Sequence, residues 1–138
     1  MNQTSGPQQP QILVAWIIWF SILMGLLMIQ FFIGGGIPSG EDQGPPPSSM
    51  LMICAGALLA SLIVRFLILP SRKTLGQQLP LMVVGLALAE VCGFLGIFLI
   101  PSDYPQTKLW LFIAAVSGIL CHAPFYAKGA KAGDPYQQ

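Results

Sequence analysis

The sequence predicts an all-α integral membrane protein, four transmembrane helices packed as a bundle, and three observations carry that prediction. Hydrophobic residues fill 54% of the 138 positions and charged residues only 8%, a balance that does not describe a water-soluble globule. Four apolar runs, residues 12–33, 50–69, 81–100 and 109–126, approach or exceed the roughly 20 residues needed to cross about 30 Å of hydrocarbon. Backbone polar groups find no water inside lipid, so each run must close its hydrogen bonds within itself, as a helix.

The first run follows a flank, MNQTSGPQQPQ, with neither Lys nor Arg. It is also longer than the apolar core of a secretory signal, so it is expected to remain as a span. GGGIPSGEDQGPPPSS breaks the chain before the second run, PSRKTLGQQLP before the third and PSDYPQTK before the fourth. None of these breaks is long enough for a domain of its own. Residues 1–11 and 127–138, rich in Gln, Pro and Gly, are expected to be disordered tails on a single transmembrane domain, residues 12–126.

Basic residues near span ends are retained on the cytoplasmic side. Arg65, Arg72, Lys73, Lys128 and Lys131 fall at the second-to-third loop and the carboxyl tail, against Lys108 alone on the other side with Glu41, Asp42 and Asp103. Both termini are therefore expected to be cytoplasmic, with the cell membrane as the host bilayer.

The composition offers little for catalysis. Of the three cysteines, Cys54 is expected near the outer end of its span, Cys92 near the middle and Cys121 near the inner end. Their depths then differ by more than the 7 Å or so that a disulfide spans between Cα atoms, which predicts three free thiols. The single histidine, His122, cannot by itself build a haem or closed zinc site, so no metal and no cofactor are expected. At its depth His122 is expected to face the interface or to bond a neighbouring carbonyl. No triad, phosphate loop or nucleic-acid surface is present, and the chain does not read as an enzyme.

Polar residues inside the runs are the candidates for function. Arg65 lies close enough to its helix end for its stem to reach the headgroups, and Gln30 is suited to bonding between helices. Glu90 is different. It falls near the midpoint of residues 81–100, and a carboxylate there costs about 2.5 to 3.5 kcal/mol unless it stays protonated or pairs with a cation such as Arg65. At 100° per residue Gly85, Ala89, Cys92, Gly93 and Gly96 share one stripe with Glu90 at its edge, beside Leu86 and Ile97. Small residues of that kind let another helix approach closely.

The stretch GLALAEVCGFLGIFL resembles the carboxyl-terminal helix of subunit c, the rotor-ring proteolipid of F-type ATP synthases. Gly85, Leu86, Ala87, Leu88, Ala89 and Glu90 match the family's run, Gly96 falls near a later glycine, and SRKTLGQQLP stands where the family has its polar loop. The resemblance covers residues 52–100. It implies a helical hairpin with a cytoplasmic loop and an ion-carrying role for Glu90.

Two functions follow from the sequence. One is an accessory or assembly subunit of a larger membrane complex, packed through Gly85, Ala89, Gly93 and Gly96, with other membrane subunits or further copies of itself as partners in the lipid bilayer. The other is a proton- or cation-binding transport component in which Glu90 carries the ion and Arg65, Gln30 and His122 are its polar neighbours.

Overall fold

The computed structural model describes residues 8–125. Four α-helices form an antiparallel bundle: α1 (Gln8–Phe32), α2 (Ser48–Ile63), α3 (Leu75–Phe98) and α4 (Pro105–Cys121). Three helical stretches, Pro10–Phe32, Ser48–Ser71 and Leu75–Phe98, are long and apolar enough to cross a membrane, and α4 is a shorter apolar helix. Residues 1–7 and 126–138, which include most of both expected tails, lie outside the described residues.

The helices start earlier than their apolar runs because polar turns at the membrane boundary are helical too. α1 begins at Gln8, ahead of residue 12, with Pro10 in its first turn, where a missing N–H costs nothing. α3 begins at Leu75 rather than at 81 and takes in Pro80. Pro80 gives up only the bond to the exposed Gly76 carbonyl, near a helix end. α4 begins at Pro105, whose fixed φ suits a first helical position, and ends at Cys121 instead of 126.

α2 ends differently from the others. After Ile63 the chain widens into a π-helical turn, Val64–Ile68, and then tightens into a 3₁₀ turn, Leu69–Ser71. Pro70 cannot donate to the ladder, so the α-helical pattern is already broken before the loop.

Packing centres on α3. Its small residues face α4 in fixed register: Gly85 opposite His122, Ala89 opposite Gly118, Gly93 opposite Ala115 and Gly96 opposite Leu111. A Cβ placed on Gly93 or Gly96 would come within 3.3 Å of Ala115 Cβ or Leu111 Cβ, so these glycines set how closely the backbones approach. α2 lies along the adjoining side. Ser61 Oγ donates to the Gly85 carbonyl at 2.7 Å, and Cys92 Sγ lies 3.2 Å from the Cys54 carbonyl.

α1 closes the bundle with less contact. Leu26 is fully buried, with one methyl in the space over Gly93, and Trp19 Nε1 donates to the Ile119 carbonyl at 2.8 Å. Trp16 stacks edge-on against Trp19 and Phe125. Much of the remaining surface of α1 is apolar and exposed, including Leu13, Ile17, Phe20, Met24, Met28 and Phe31, a spacing that marks one continuous helix face turned to lipid.

Candidate functional site

The polar residues of the spans separate into three places. At the end of the bundle where α1 and α3 begin, His122, Ser61 and Arg65 gather. At the opposite end, Asp42 joins the first loop to α4. Glu90 stands apart from both.

Glu90 is half-buried on α3. Glu90 lies eight residues from the Phe98 end of α3, about 12 Å along the axis at 1.5 Å per residue, and nine from Leu81, where the apolar part of the helix begins. It borders the exposed face that carries Val83, Val84, Ala87 and Phe98, while its neighbours Leu86 and Ala89 are buried. Among the described residues no group donates a hydrogen bond to its carboxyl.

Arg65 reaches across to the end of α4. Its Nε donates to the Cys121 carbonyl at 2.6 Å and so satisfies one of the open carbonyls at the end of α4. The register of α2 on α3, with Ser61 facing Gly85, puts Arg65 about 13 Å from Glu90 along the helix axes at 1.5 Å per residue. The pair is not in contact range. Gln30 likewise forms no bond between helices: its amide donates to the Gly36 carbonyl while the Gly36 N–H donates back to the Gln30 carbonyl, closing the turn after α1.

His122 is completely buried. Its Nδ1 lies 2.9 Å from the Gly118 carbonyl, a pure acceptor, so Nδ1 carries the hydrogen. The ring occupies the space that the absent side chain of Gly85 leaves, with Nε2 nearest. Gly85, Ala89, Gly93 and Gly96 are all buried on one side of α3.

The cysteines are free, with Cys54 and Cys92 buried and Cys121 exposed. Cys54 and Cys92 are not at different depths, as their runs suggest. Cys54 lies six residues after the start of α2 and Cys92 six residues before the end of the antiparallel α3, so the two meet across the interface. The expectation failed because the apolar runs 50–69 and 81–100 misplace the helix ends by two residues each, in directions that add. A shallow apolar groove of about 230 Å³ opens beside the pair, lined by Leu51, Leu58, Trp110 and Ala114. No cluster of three or more His, Cys, Asp or Glu able to hold a metal ion occurs among the described residues.

Asp42 is a structural residue that sequence reading did not single out. Its Oδ1 accepts the N–H groups of Gln106 and Thr107 at 2.9 and 3.2 Å, and its Oδ2 accepts the Thr107 hydroxyl, so a carboxylate from the first loop caps the start of α4. Partial desolvation opposes its ionisation, but the bonds from Thr107 and Gln106 prevail and hold the carboxyl below the usual carboxylate range. The partners are 65 residues apart at Thr107, and no local pattern marks them. Gly118 was visible in principle as the small residue three beyond Ala115 in AAVSGIL.

Comparison with protein-family models, with characterised proteins and with solved structures gives no match to this chain.

Proposed function

We propose that this small multi-pass membrane protein is an accessory or assembly subunit of a larger membrane complex, and that Glu90 is the polar contact through which it binds a neighbouring transmembrane helix. The observation that carries this reading is the placement of Glu90. An acid at hydrocarbon depth, at the border of a lipid-exposed face and without a donor among the described residues, carries a cost of about 2.5 to 3.5 kcal/mol as a charge. A donor or cation on a helix from another chain would remove much of that cost.

The test separates this from the ion-binding reading that the resemblance to subunit c implies. A photoreactive residue in place of the exposed Ala87, one turn from Glu90, is expected to crosslink to one discrete protein in native membranes. Glu90→Gln keeps a hydrogen-bonding group and is expected to preserve that adduct, whereas Glu90→Leu is expected to lose it. If Glu90→Leu crosslinks as well as the unaltered residue, the assembly reading fails. Loss of a proton or cation flux in Glu90→Gln with assembly intact would establish the carrier reading instead.

In this proposal both termini and the loop around Ser71 face the cytoplasm, supported by the excess of Lys and Arg at that end. A Ser71→Cys variant lacking Cys54, Cys92 and Cys121 is expected to resist an impermeant maleimide added outside intact cells and to react after lysis. Reaction in intact cells reverses the orientation.

A further inference from the structure

The end of α4 holds a side chain whose chemistry the packing does not use up. His122 is fully buried and donates from Nδ1 to the Gly118 carbonyl, but Nε2 has no hydrogen-bond partner among the described residues. With Nδ1 protonated, Nε2 is a bare lone pair. It presses into the notch of Gly85 and is itself buried.

The surroundings accommodate a neutral ring and oppose a charged one. From α2, the Ser61 hydroxyl is committed to the Gly85 carbonyl, while the Ser61 carbonyl beside the ring shares the Val64 N–H with Ala60 and keeps a lone pair. From the π turn, the Arg65 guanidinium brings a positive charge to the adjoining Cys121 carbonyl. From α3, the ring meets Gly85, and the one acid of that helix, Glu90, is five residues further on. α4 contributes the Cys121 thiol next in sequence, and α1 contributes the Trp19 indole, which bonds Ile119. No carboxylate among the described residues faces the ring.

We propose that His122 is a proton-operated latch that seats the end of α4 in the Gly85 notch when neutral and releases it when a proton from the aqueous phase binds Nε2. The protonated ring would carry a charge beside Arg65, stripped of water, with the Ser61 carbonyl as the acceptor nearest its second N–H. Neutral, the same ring fills the notch as an apolar side chain would. Release leaves the rest of the α3–α4 seam, Ala89 to Gly96, in place.

The single histidine makes the test direct, because one imidazole signal needs no assignment. The full chain, ¹⁵N-labelled at histidine and free of affinity histidines, is placed in phosphatidylcholine nanodiscs between pH 7.5 and 5. At pH 7.5 the spectrum is expected to show one protonated nitrogen and one bare nitrogen. On acidification the bare nitrogen is expected to protonate. Hydrogen exchange at His122, Ala123 and Phe125, corrected for the intrinsic pH dependence, is expected to rise at least tenfold in step, while residues 89–96 stay protected. His122→Phe, which fills the notch without titrating, and His122→Gln, which keeps a polar group, are expected to abolish the pH dependence. The proposal is overturned if the ring is doubly protonated at pH 7.5 or still neutral at pH 5. It is equally overturned if the ring titrates without change in exchange, or if either variant retains the pH dependence.

Discussion

Replacing Gly118 by Ala tests whether the approach of α3 and α4 is set by the small residues between them. A Cβ at residue 118 would stand 2.9 Å from Ala89 Cβ and 3.0 Å from Leu58 Cδ1, against ordinary contacts of 3.4 to 4 Å. The Leu58 methyl can rotate away. Ala89 Cβ is fixed to the α3 backbone, so the helices must part by about half an ångström or more, and the contacts at Gly93 and Gly96 loosen with them. Overpacking of this kind costs about 1 to 3 kcal/mol.

Alanine also gains roughly 0.8 to 1.0 kcal/mol over glycine in helix propensity, which partly conceals the cost. Gly56→Ala supplies the control: Gly56 lies in α2 with nothing within 4 Å of the new Cβ, so it collects the propensity gain alone. The difference between the two variants isolates the packing term at about 1 to 3 kcal/mol, roughly 5- to 150-fold in the unfolding equilibrium. Reversible unfolding in mixed micelles with rising sodium dodecyl sulfate, followed by tryptophan fluorescence, reads this difference. Gly56→Ala should be the more stable protein and Gly118→Ala the less stable of the pair. If the two variants shift the midpoint equally, the α3–α4 contact is not limiting and the reasoning from Ala89 is wrong.

The Asp42 cap should be pH-dependent. A carboxyl held below its ordinary value of 3.8 contributes stability that is present in full above that value and is lost as pH falls through the lower folded-state value. Amide exchange at Gln106 and Thr107 should therefore be slow at pH 6 and accelerate in acid beyond its intrinsic trend, whereas Asp42→Ala should be unprotected at both; pH-independent protection in the unaltered protein would contradict the cap. Thiol chemistry follows burial: a lipid-permeant maleimide should add once to the folded protein, at Cys121, and three times after denaturation, as counted by intact mass. More than one adduct on the folded chain would show that Cys54 or Cys92 is accessible.

The four helices were legible because lipid imposes so strict a rule that length and hydropathy decide the element. What hydropathy could not place were helix ends, since Gln8, Leu75 and Pro105 begin helices with residues that belong to the aqueous boundary. Errors of a few residues there changed conclusions about neighbours, as Cys54 and Cys92 demonstrate: antiparallel helices turn an error at each end into a doubled error in relative depth. Side-chain commitments were illegible for another reason. Arg65 has a stem long enough for many partners, and only the seating of α4 beside the π turn brings the Cys121 carbonyl to it. His122 is the reverse case, a polar residue near a helix end that the Gly85 notch draws wholly inside.

The alternation of sizes along α3 and α4 also governs what motions the bundle permits. Sliding α4 by one turn in one direction would drive the His122 ring onto the Ala89 methyl. Sliding it the other way would set Gly118 against Gly85, opening a void, and Ala115 against Ala89. The seam therefore works like a key with a single cut, fitting at one setting only. α1 has no comparable teeth: Leu26 and the Trp19 bond hold it, and most of its length meets lipid. A swing of α1 would leave the α3–α4 pair in register, but at the loss of the Trp19 bond and with Leu26 uncovered.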